Sequence, residues 1–245
     1  MITLHQPSPP GWERVGNMSP YCLKLEAWLR LAKIPYQVKA PNFSKAPKGK
    51  IPYIYDDARN LTMGDSGLII EDLKKTYNVT IDQKLTPEQA AISVAVQRML
   101  EEHLYFGGVR TRWGDEESFS YVKGFFMKVL PPVIGGLILS QIRKGVLKAT
   151  YSQGMGRHSR EDLEALCRAD IDALSALLGD KPFLLGAEPT TIDATIYGFM
   201  ANFLWVPWTN DLKTYGISKV NLVAHTERMH KIFEDGALQT RGRSS

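Results

Sequence analysis

The spacing of apolar residues changes once along this chain, near residue 78, and that change limits the folds it can adopt. Before residue 78, short β-branched or alternating runs typical of strands are interleaved with segments whose apolar residues recur at helical spacing. The predicted strands cover residues 2–5, 34–38, 51–55 and 60–63, and the predicted helices cover residues 19–33 and 66–77. This order is typical of a small α/β domain with a mixed sheet, which we place at residues 1–78.

Only helical patterns follow the linker predicted at residues 79–85. Thr86-Pro87-Glu88-Gln89 combines a capping Thr, a Pro suited to the first helical position and a Gln that completes a capping box. Thr190-Thr191-Ile192-Asp193 forms a second box ahead of an almost entirely apolar run. Further helices are predicted from residue 87 toward 113, over 117–148 with a break at two prolines, from 160 onward and over 221–233. We therefore predict a helical bundle at residues 86–238, an all-α domain, and a frayed tail at 239–245.

Charge and cysteine content exclude several classes of protein. Thirty Lys and Arg face 26 Asp and Glu, a small excess without one basic block, so nucleic acid is not an expected partner. Cys22 and Cys167 lie too far apart for a disulfide framework or metal-ligand spacing, so we expect no metal. No secretory signal is recognised, and the longest apolar stretch has about 12 residues where a membrane span needs about 20. These features favour a reducing setting, and we expect a cytoplasmic protein.

Ser19-Pro20-Tyr21-Cys22 lies at the predicted start of a helix. Free backbone N–H groups and the positive end of the helix dipole meet there and stabilise a nearby thiolate. Ser19 occupies the cap, whereas Cys22 lies about one turn inside the helix. We expect the Ser19 hydroxyl to hydrogen-bond the thiolate of a ligand. A second interpretation makes Ser19 a plain helix cap and Cys22 a small buried apolar group.

Two further segments supply groups for a peptide-like ligand. Ile51-Pro52 opens the third predicted strand, and a cis peptide there would turn the Ile51 backbone toward a ligand. Asp65-Ser66 precedes an apolar helix, whose N-terminus and Ser66 hydroxyl can take a carboxylate while Asp65 takes an ammonium group. Adjacent sites for a carboxylate and an ammonium group together recognise the amino-acid end of a ligand, which carries both groups on one carbon. The same pair is also an ordinary helix cap, and that interpretation stays open.

Taken in order, these segments resemble those of glutathione transferases. The first 78 residues resemble the thioredoxin-like, glutathione-binding domain of that superfamily, and the helical remainder resembles its C-terminal domain. The turn at Ser19 is similar to a glutaredoxin active-site turn with Ser in place of the leading Cys. Ile51-Pro52 resembles the family's cis-proline, Asp65-Ser66 its γ-glutamyl site, and the box beginning at Thr190 its helical capping box. Within that superfamily, the chain resembles the failed-axon-connections and metaxin-like branch at residues 19–26, 50–54 and 156–159.

The resemblance implies that glutathione is a co-substrate. Asp65 and Ser66 would hold its γ-glutamyl group, and the backbone at Ile51 and Pro52 would pair with its cysteinyl amide. Lys50 is placed for the glycyl carboxylate, with two alternatives at Lys39 and Lys48.

The electrophile is expected between the domains. Tyr105, Phe106 and Trp113 are predicted to line an apolar pocket there, and Arg110 and Arg112 would favour an anionic substrate. Ser19 would stabilise the glutathione thiolate for transfer to a small electrophile. The resemblance also implies a homodimer.

Two other functions stay open as alternatives. One is a glutathione-dependent thiol reductase using Cys22, weakened because Cys22 occupies the position of the second, more buried cysteine of a glutaredoxin. The other is a non-catalytic binding module of the metaxin kind. Two segments keep alternative interpretations. The loop at residues 7–15 would either cover the thiol site or reshape the substrate pocket. Arg157-His158 would be either a branch-specific contact or part of an ordinary polar loop.

Overall fold

A four-stranded mixed sheet forms the centre of the N-terminal domain. The computed structural model describes residues 1–241, with the side chains of residues 1–236. The strands lie in the order β2-β1-β3-β4, with β1 parallel to β2 and antiparallel to β3, and β3 antiparallel to β4. The elements are β1 (Ile2–His5), α1 (Pro20–Leu31), β2 (Tyr36–Lys39), β3 (Tyr53–Asp56), β4 (Leu61–Gly64) and α2 (Ser66–Thr76).

The rest of the described chain is helical. Its elements are α3 (Pro87–Arg98), a π-helical segment (Met99–Leu104), α4 (Tyr105–Gly114), α5 (Glu116–Val129), α6 (Gly135–Gln153), α7 (Arg160–Leu178), α8 (Thr191–Leu204), α9 (Asp211–Ser218) and α10 (Val220–Arg241). The predicted fold class, a thioredoxin-like α/β domain followed by a helical bundle, is confirmed.

Two helical segments differ from the sequence predictions. Helix α9 was not predicted; Asn210 caps it by accepting a hydrogen bond from the Lys213 backbone N–H at 2.8 Å. Helix α10 continues to Arg241, so residues 239–241 of the predicted tail are helical, because no glycine or proline after Gly236 interrupts the helix. Residues 242–245 lie outside the described residues.

Helices α1 and α8 cross closely and join the two domains. A Cβ atom added to Gly198 of α8 would lie 2.7 Å from both the Lys24 N and the Pro20 O of α1, so only glycine permits this approach. Helix α1 packs on the sheet on one side and on α8 on the other, and nearly all of it is buried. The crossing therefore holds the start of α1, which carries Ser19, against the helical domain.

Candidate functional site

A cleft of about 920 Å³ lies where the two domains meet. Eight of the ten predicted site residues line it: Ser19, Lys50, Ile51, Pro52, Asp65, Ser66, Tyr105 and Phe106. The other two, Cys22 and Trp113, are not among its lining residues. The cleft thus joins a polar wall from the N-terminal domain to an aromatic wall from the helical domain.

Ser19 caps α1 at the edge of this cleft. Its hydroxyl oxygen accepts a hydrogen bond from the Cys22 backbone N–H at 3.4 Å, and Pro20 occupies the first helical position. The backbone N–H of Ser19 donates to Asn17 Oδ1 at 3.0 Å, which fixes the turn before the helix. A hydroxyl can accept from the backbone and still donate its own proton, so Ser19 is able to hydrogen-bond an anion in the cleft.

The helical domain holds the loop that precedes Ser19. Arg112 Nη1 donates to the Met18 carbonyl at 2.7 Å, and Asn202 Nδ2 donates to the Asn17 carbonyl at 3.0 Å. Arg112 Nη2 in turn donates to Asn202 Oδ1 at 3.1 Å. Sequence reasoning missed this network, because its members lie about 90 or more positions apart along the chain.

The prediction that Arg110 and Arg112 favour an anionic substrate is wrong for the cleft. Neither residue lines it. Arg112 is buried where α4 passes the Ser19 loop, and this burial lowers the pKa of its guanidinium to about 10. Its hydrogen bonds go to the protein's own carbonyls, so it acts on the site through the loop.

Cys22 is fully buried and lies behind Ser19 instead of facing the cleft. None of its surface is exposed, and removal from water raises the pKa of its thiol to about 12. A thiol with that pKa stays protonated at neutral pH and is a poor nucleophile. This environment fits the interpretation of Cys22 as a small buried apolar group.

Asp65 and Ser66 form the start of α2. The Asp65 carboxylate accepts hydrogen bonds from the Gly67 and Leu68 backbone N–H groups at 3.0 and 3.2 Å, so Asp65 is a helix cap as well as an exposed charge at the cleft. Its backbone lies in the left-handed region, with φ at 79°. Ser66 is nearly buried and lines the cleft. The helix-cap interpretation of this pair is therefore confirmed, and its exposure at the cleft leaves the pair available to a ligand.

Ile51, Pro52 and two lysines complete the polar wall. The Ile51–Pro52 peptide is cis. Lys48 and Lys50 are exposed at the cleft and form no ion pair with the side chains that the structure describes. Lys39 ends β2 and does not line the cleft, which leaves Lys48 and Lys50 as the available cations on this wall.

Tyr105 and Phe106 form the aromatic wall, and Tyr21 of α1 packs against it. The Tyr105 ring lies 5.0 Å from that of Tyr21 and 5.1 Å from that of Phe106, both edge to face. The Tyr21 hydroxyl donates to the Glu101 carbonyl at 2.8 Å. Burial raises the pKa of Tyr105, and its hydroxyl makes no hydrogen bond within the described chain. Tyr105 therefore offers a neutral donor to a molecule in the cleft.

Trp113 does not belong to this wall, and the prediction that it lines the pocket is wrong. It lies two turns beyond Tyr105 on α4, where its ring packs 5.9 Å from Phe119 and 5.8 Å from Phe126 of α5. Helices α5 and α6 cover that end of α4, so Trp113 is part of a separate apolar cluster.

A buried ion pair lies at the floor of the cleft. Lys24 Nζ is 2.5 Å from Glu101 Oε1, with about 1% of the Lys24 side chain exposed. Gln97 Nε2 donates to Glu101 Oε2 at 3.1 Å, which satisfies the second carboxylate oxygen. The pair joins α1 to the π-helical segment. Sequence reasoning missed it; the available signal was a lysine within an otherwise buried helix.

The loop at residues 7–15 does not cover the cleft, and none of its residues line it. It packs on the helical domain instead: Arg14 lies over the Trp205 ring at 4.2 Å, and Trp12 meets Trp208 edge to face at 5.2 Å. This part of the sequence interpretation is wrong.

Arg157 and His158 are exposed and lie outside the cleft. Arg157 Nε donates to the Tyr151 carbonyl at 3.0 Å. Within residues 1–241, no group of three or more His, Cys, Asp or Glu is arranged to hold a metal ion. No helix in the same range is long and apolar enough to cross a membrane.

Two family models match the chain. Residues 20–118 match the glutathione S-transferase N-terminal domain, and residues 167–229 match the glutathione S-transferase C-terminal domain. The first range contains α1, the other residues of the polar wall and the aromatic wall of the cleft, and it begins one residue after Ser19.

Similar proteins include an enzyme and proteins of the predicted branch. The chain is 35% identical to the isoprene-epoxide–glutathione S-transferase of Rhodococcus sp. (strain AD45), over 92% of this chain and 96% of that one. It is 31% identical to failed axon connections of Drosophila melanogaster over 89% of this chain, which spans 55% of that longer protein. Metaxins match at 24–29% identity. The predicted resemblance to this branch is confirmed.

The fold matches solved structures as well. A glutathione S-transferase of Ceriporiopsis subvermispora, solved in complex with glutathione, superposes with a TM-score of 0.63 at 17% identity. The match covers 94% of this chain and 97% of that one.

Proposed function

The chain belongs to the glutathione S-transferase family, and on that premise we propose that it joins the thiol of glutathione to a small electrophile. The observation that carries this proposal is the cleft in which the Ser19 cap, the Asp65-Ser66 helix start and the aromatic pair Tyr105-Phe106 face one volume. Glutathione has an amino-acid end, a thiol and a second carboxylate, and the polar wall has a group for each.

The polar wall would hold glutathione along its length. The Ser66 hydroxyl and the start of α2 receive the γ-glutamyl carboxylate, and the exposed Asp65 carboxylate receives the ammonium group. The Ile51 and Pro52 backbone pairs with the cysteinyl amide. Lys50, with Lys48 beside it, attracts the glycyl carboxylate.

Ser19 governs the thiol in this proposal. Its hydroxyl donates a hydrogen bond to the thiolate sulfur, and the positive end of α1 adds to the stabilisation. Both interactions lower the pKa of the bound thiol and raise the fraction of the reactive thiolate at neutral pH. Cys22 has no part in the transfer, since it is buried and its own thiol has a pKa of about 12.

We propose an epoxide or a similarly small apolar molecule as the electrophile. The name of the Rhodococcus relative includes isoprene epoxide, and the aromatic wall suits an apolar substrate. The thiolate sulfur attacks one epoxide carbon, the C–O bond breaks, and the oxygen takes a proton from water. The Tyr105 hydroxyl, which has no partner in the described chain, donates a hydrogen bond to that oxygen as its charge develops.

A non-catalytic binding module is the second candidate, favoured by the similarity to failed axon connections and metaxins. The glutathione-dependent reductase is the weaker alternative, because the only cysteine near the cleft is buried. We also propose a cytoplasmic homodimer. Sedimentation of the purified chain at micromolar concentration gives twice the 27.5 kDa chain mass if this is correct and the chain mass itself if it is not.

The decisive experiment follows the thiolate of bound glutathione. In the wild type, we expect thiolate absorbance at neutral pH and turnover with an epoxide and with an aromatic halide. The Ser19→Ala variant should have a higher pKa of bound thiol and about 10- to 1,000-fold slower conjugation. Tight glutathione binding with neither thiolate nor turnover in the wild type would favour the binding module instead.

A further inference from the structure

The turn between α5 and α6 exposes a concentrated apolar surface. Sixteen large apolar residues are exposed in the described chain, and five of them lie within the eleven residues 127–137. Val133 is 94% exposed and Leu137 is 73% exposed. These five residues, which we call the apolar tip, are Met127, Val129, Val133, Ile134 and Leu137.

The chain around the apolar tip is strongly basic. Residues 118–160 contain seven Lys and Arg and no Asp or Glu, whereas the rest of the chain contains 23 basic and 26 acidic residues. The basic excess is therefore concentrated in one segment, contrary to the expectation of an excess without one basic block. Four lysines of this segment are exposed and form no ion pair with any described side chain: Lys123, Lys128, Lys144 and Lys148.

Two of these lysines lie close to the apolar tip along the chain. Lys128 is adjacent to Val129, and Lys144 follows Leu137 by seven residues, about 10 Å along α6. That distance is close to the range of electrostatic attraction at physiological salt. The charge and the apolar surface are therefore close enough to contact one partner together.

The hairpin of α5 and α6 is distinct from the glutathione cleft. No residue of it lines the cleft, and residues 119–166 lie between the two ranges matched by the family models. Its inner side packs on α4 through Trp113, Phe119, Val122 and Leu139. This inner packing fixes the hairpin to the body and leaves the apolar tip at its free end.

We propose that the apolar tip and its lysines dock on an anionic lipid surface. Exposed apolar side chains enter the boundary between headgroups and acyl chains, while lysines pair with lipid phosphates and carboxylates. Neither signal alone gives stable attachment, and here the two are combined. A second copy of the chain is a poorer partner, because symmetric pairing of this surface would bring two groups of unpaired lysines together.

Vesicle flotation with the full chain tests the proposal. We expect binding to vesicles of phosphatidylcholine mixed with phosphatidylserine, weakened by salt, and little binding to phosphatidylcholine alone. The double variant Val133→Gln, Leu137→Gln should bind at least about tenfold more weakly. Lys128→Gln and Lys144→Gln should each weaken binding about fivefold. The matched controls, Val220→Gln and Lys84→Gln, change exposed residues elsewhere and should bind like the wild type.

A dye at position 137 reports whether the apolar tip enters the lipid layer. Both native cysteines are buried, so an environment-sensitive thiol dye added to the Leu137→Cys variant labels that position. Its emission should shift to shorter wavelength with anionic vesicles only. The proposal is overturned if both vesicle types bind equally, if neither binds, or if the controls lose as much binding as the tip variants. It is also overturned if the tip variants instead halve the sedimenting mass, which would make this surface an interface between copies.

Discussion

The two walls of the cleft are built in different ways. The polar wall consists of residues at the starts of secondary-structure elements: Ser19 before α1, Asp65 before α2, and the residues that lead into β3. The aromatic wall is one side of a long helix, where Tyr105 and Phe106 face the cleft but Trp113, two turns further, is core. A helix start offers free N–H groups wherever it lies, while the exposure of a helix side depends on what packs against it. The polar wall should therefore determine glutathione affinity, and the aromatic wall the choice of electrophile.

The largest effect should come from the polar wall. Asp65→Asn keeps a residue that caps helices and tolerates the left-handed backbone, but removes the charge that we propose faces the ammonium group of glutathione. Loss of a charged hydrogen bond costs about 1.5–3 kcal/mol, or about 10- to 150-fold in glutathione affinity measured by calorimetry. Ser66→Ala should act in the same direction.

Asp57→Asn is the matched control, since Asp57 is an exposed carboxylate near the N-terminal amine and away from the cleft. It should bind glutathione like the wild type. If Asp65→Asn and Ser66→Ala also do so, the γ-glutamyl group binds elsewhere and the division between the walls fails.

The second effect tests how the helical domain supports the polar wall. Asn202→Leu would leave the Asn17 carbonyl and one Arg112 N–H group buried without partners, at a cost of about 1–3 kcal/mol in the free energy of unfolding. We expect slower conjugation as well, because the loop before Ser19 loses the hydrogen bond from Asn202 that fixes its position.

Asn221→Leu separates the two consequences of that change. Asn221 donates to the Ser175 and Gly179 carbonyls between α7 and α10, far from Ser19. Urea unfolding should show a similar loss of stability for this variant with unchanged conjugation. Equal loss of conjugation in both variants would mean that the network serves stability alone.

Sequence reasoning succeeded where a structure depends on three or four neighbouring residues. The Ser19 cap, the box from Thr86 to Gln89 and the hydrogen bond from the Thr190 N–H to Asp193 all formed as predicted. It failed where partners are distant: Lys24 and Glu101 lie 77 positions apart. The position of Trp113 depends on α5 and α6 folding back over α4, which no local pattern encodes.

The charge of residues 118–160 is an intermediate case. The absence of acidic residues there is plain in the sequence. Its meaning depends on the fold, which shows that four of the lysines are exposed on the same helical hairpin as the apolar tip. Composition averaged over the whole chain concealed it.

A smaller effect is expected from the aromatic wall. Tyr105→Phe keeps the ring and removes the hydroxyl, so it should slow epoxide opening about tenfold, the upper end of the net effect of one neutral hydrogen bond. Turnover of an aromatic halide and glutathione affinity should change little, since neither needs that donor. Steady-state kinetics with both substrates checks this, and equal loss with both would assign Tyr105 to packing or to the thiolate.

The smallest effect should come from Cys22. Cys22→Ala should leave conjugation within about threefold of the wild type, because the thiol does not face the cleft. Burial raises the pKa of both Cys22 and Cys167 to about 12, above the usual value near 8.5, so both thiols stay protonated at pH 8. Mass spectrometry after iodoacetamide treatment should find the native chain unmodified and the urea-unfolded chain doubly modified. A mixed disulfide between Cys22 and glutathione would contradict this and favour the reductase.

The close crossing at Gly198 has a consequence for how the protein melts. Two domains joined by a linker often unfold as separate calorimetric units, but here the backbones of α1 and α8 touch with no side chain between them. Helices α1 and α8 therefore belong to one packed apolar core. If either helix unfolds, the apolar core of the other domain becomes exposed to water. Heating should give a single endotherm that contains both domains, and a destabilising substitution in either one should lower the melting temperature of the whole chain.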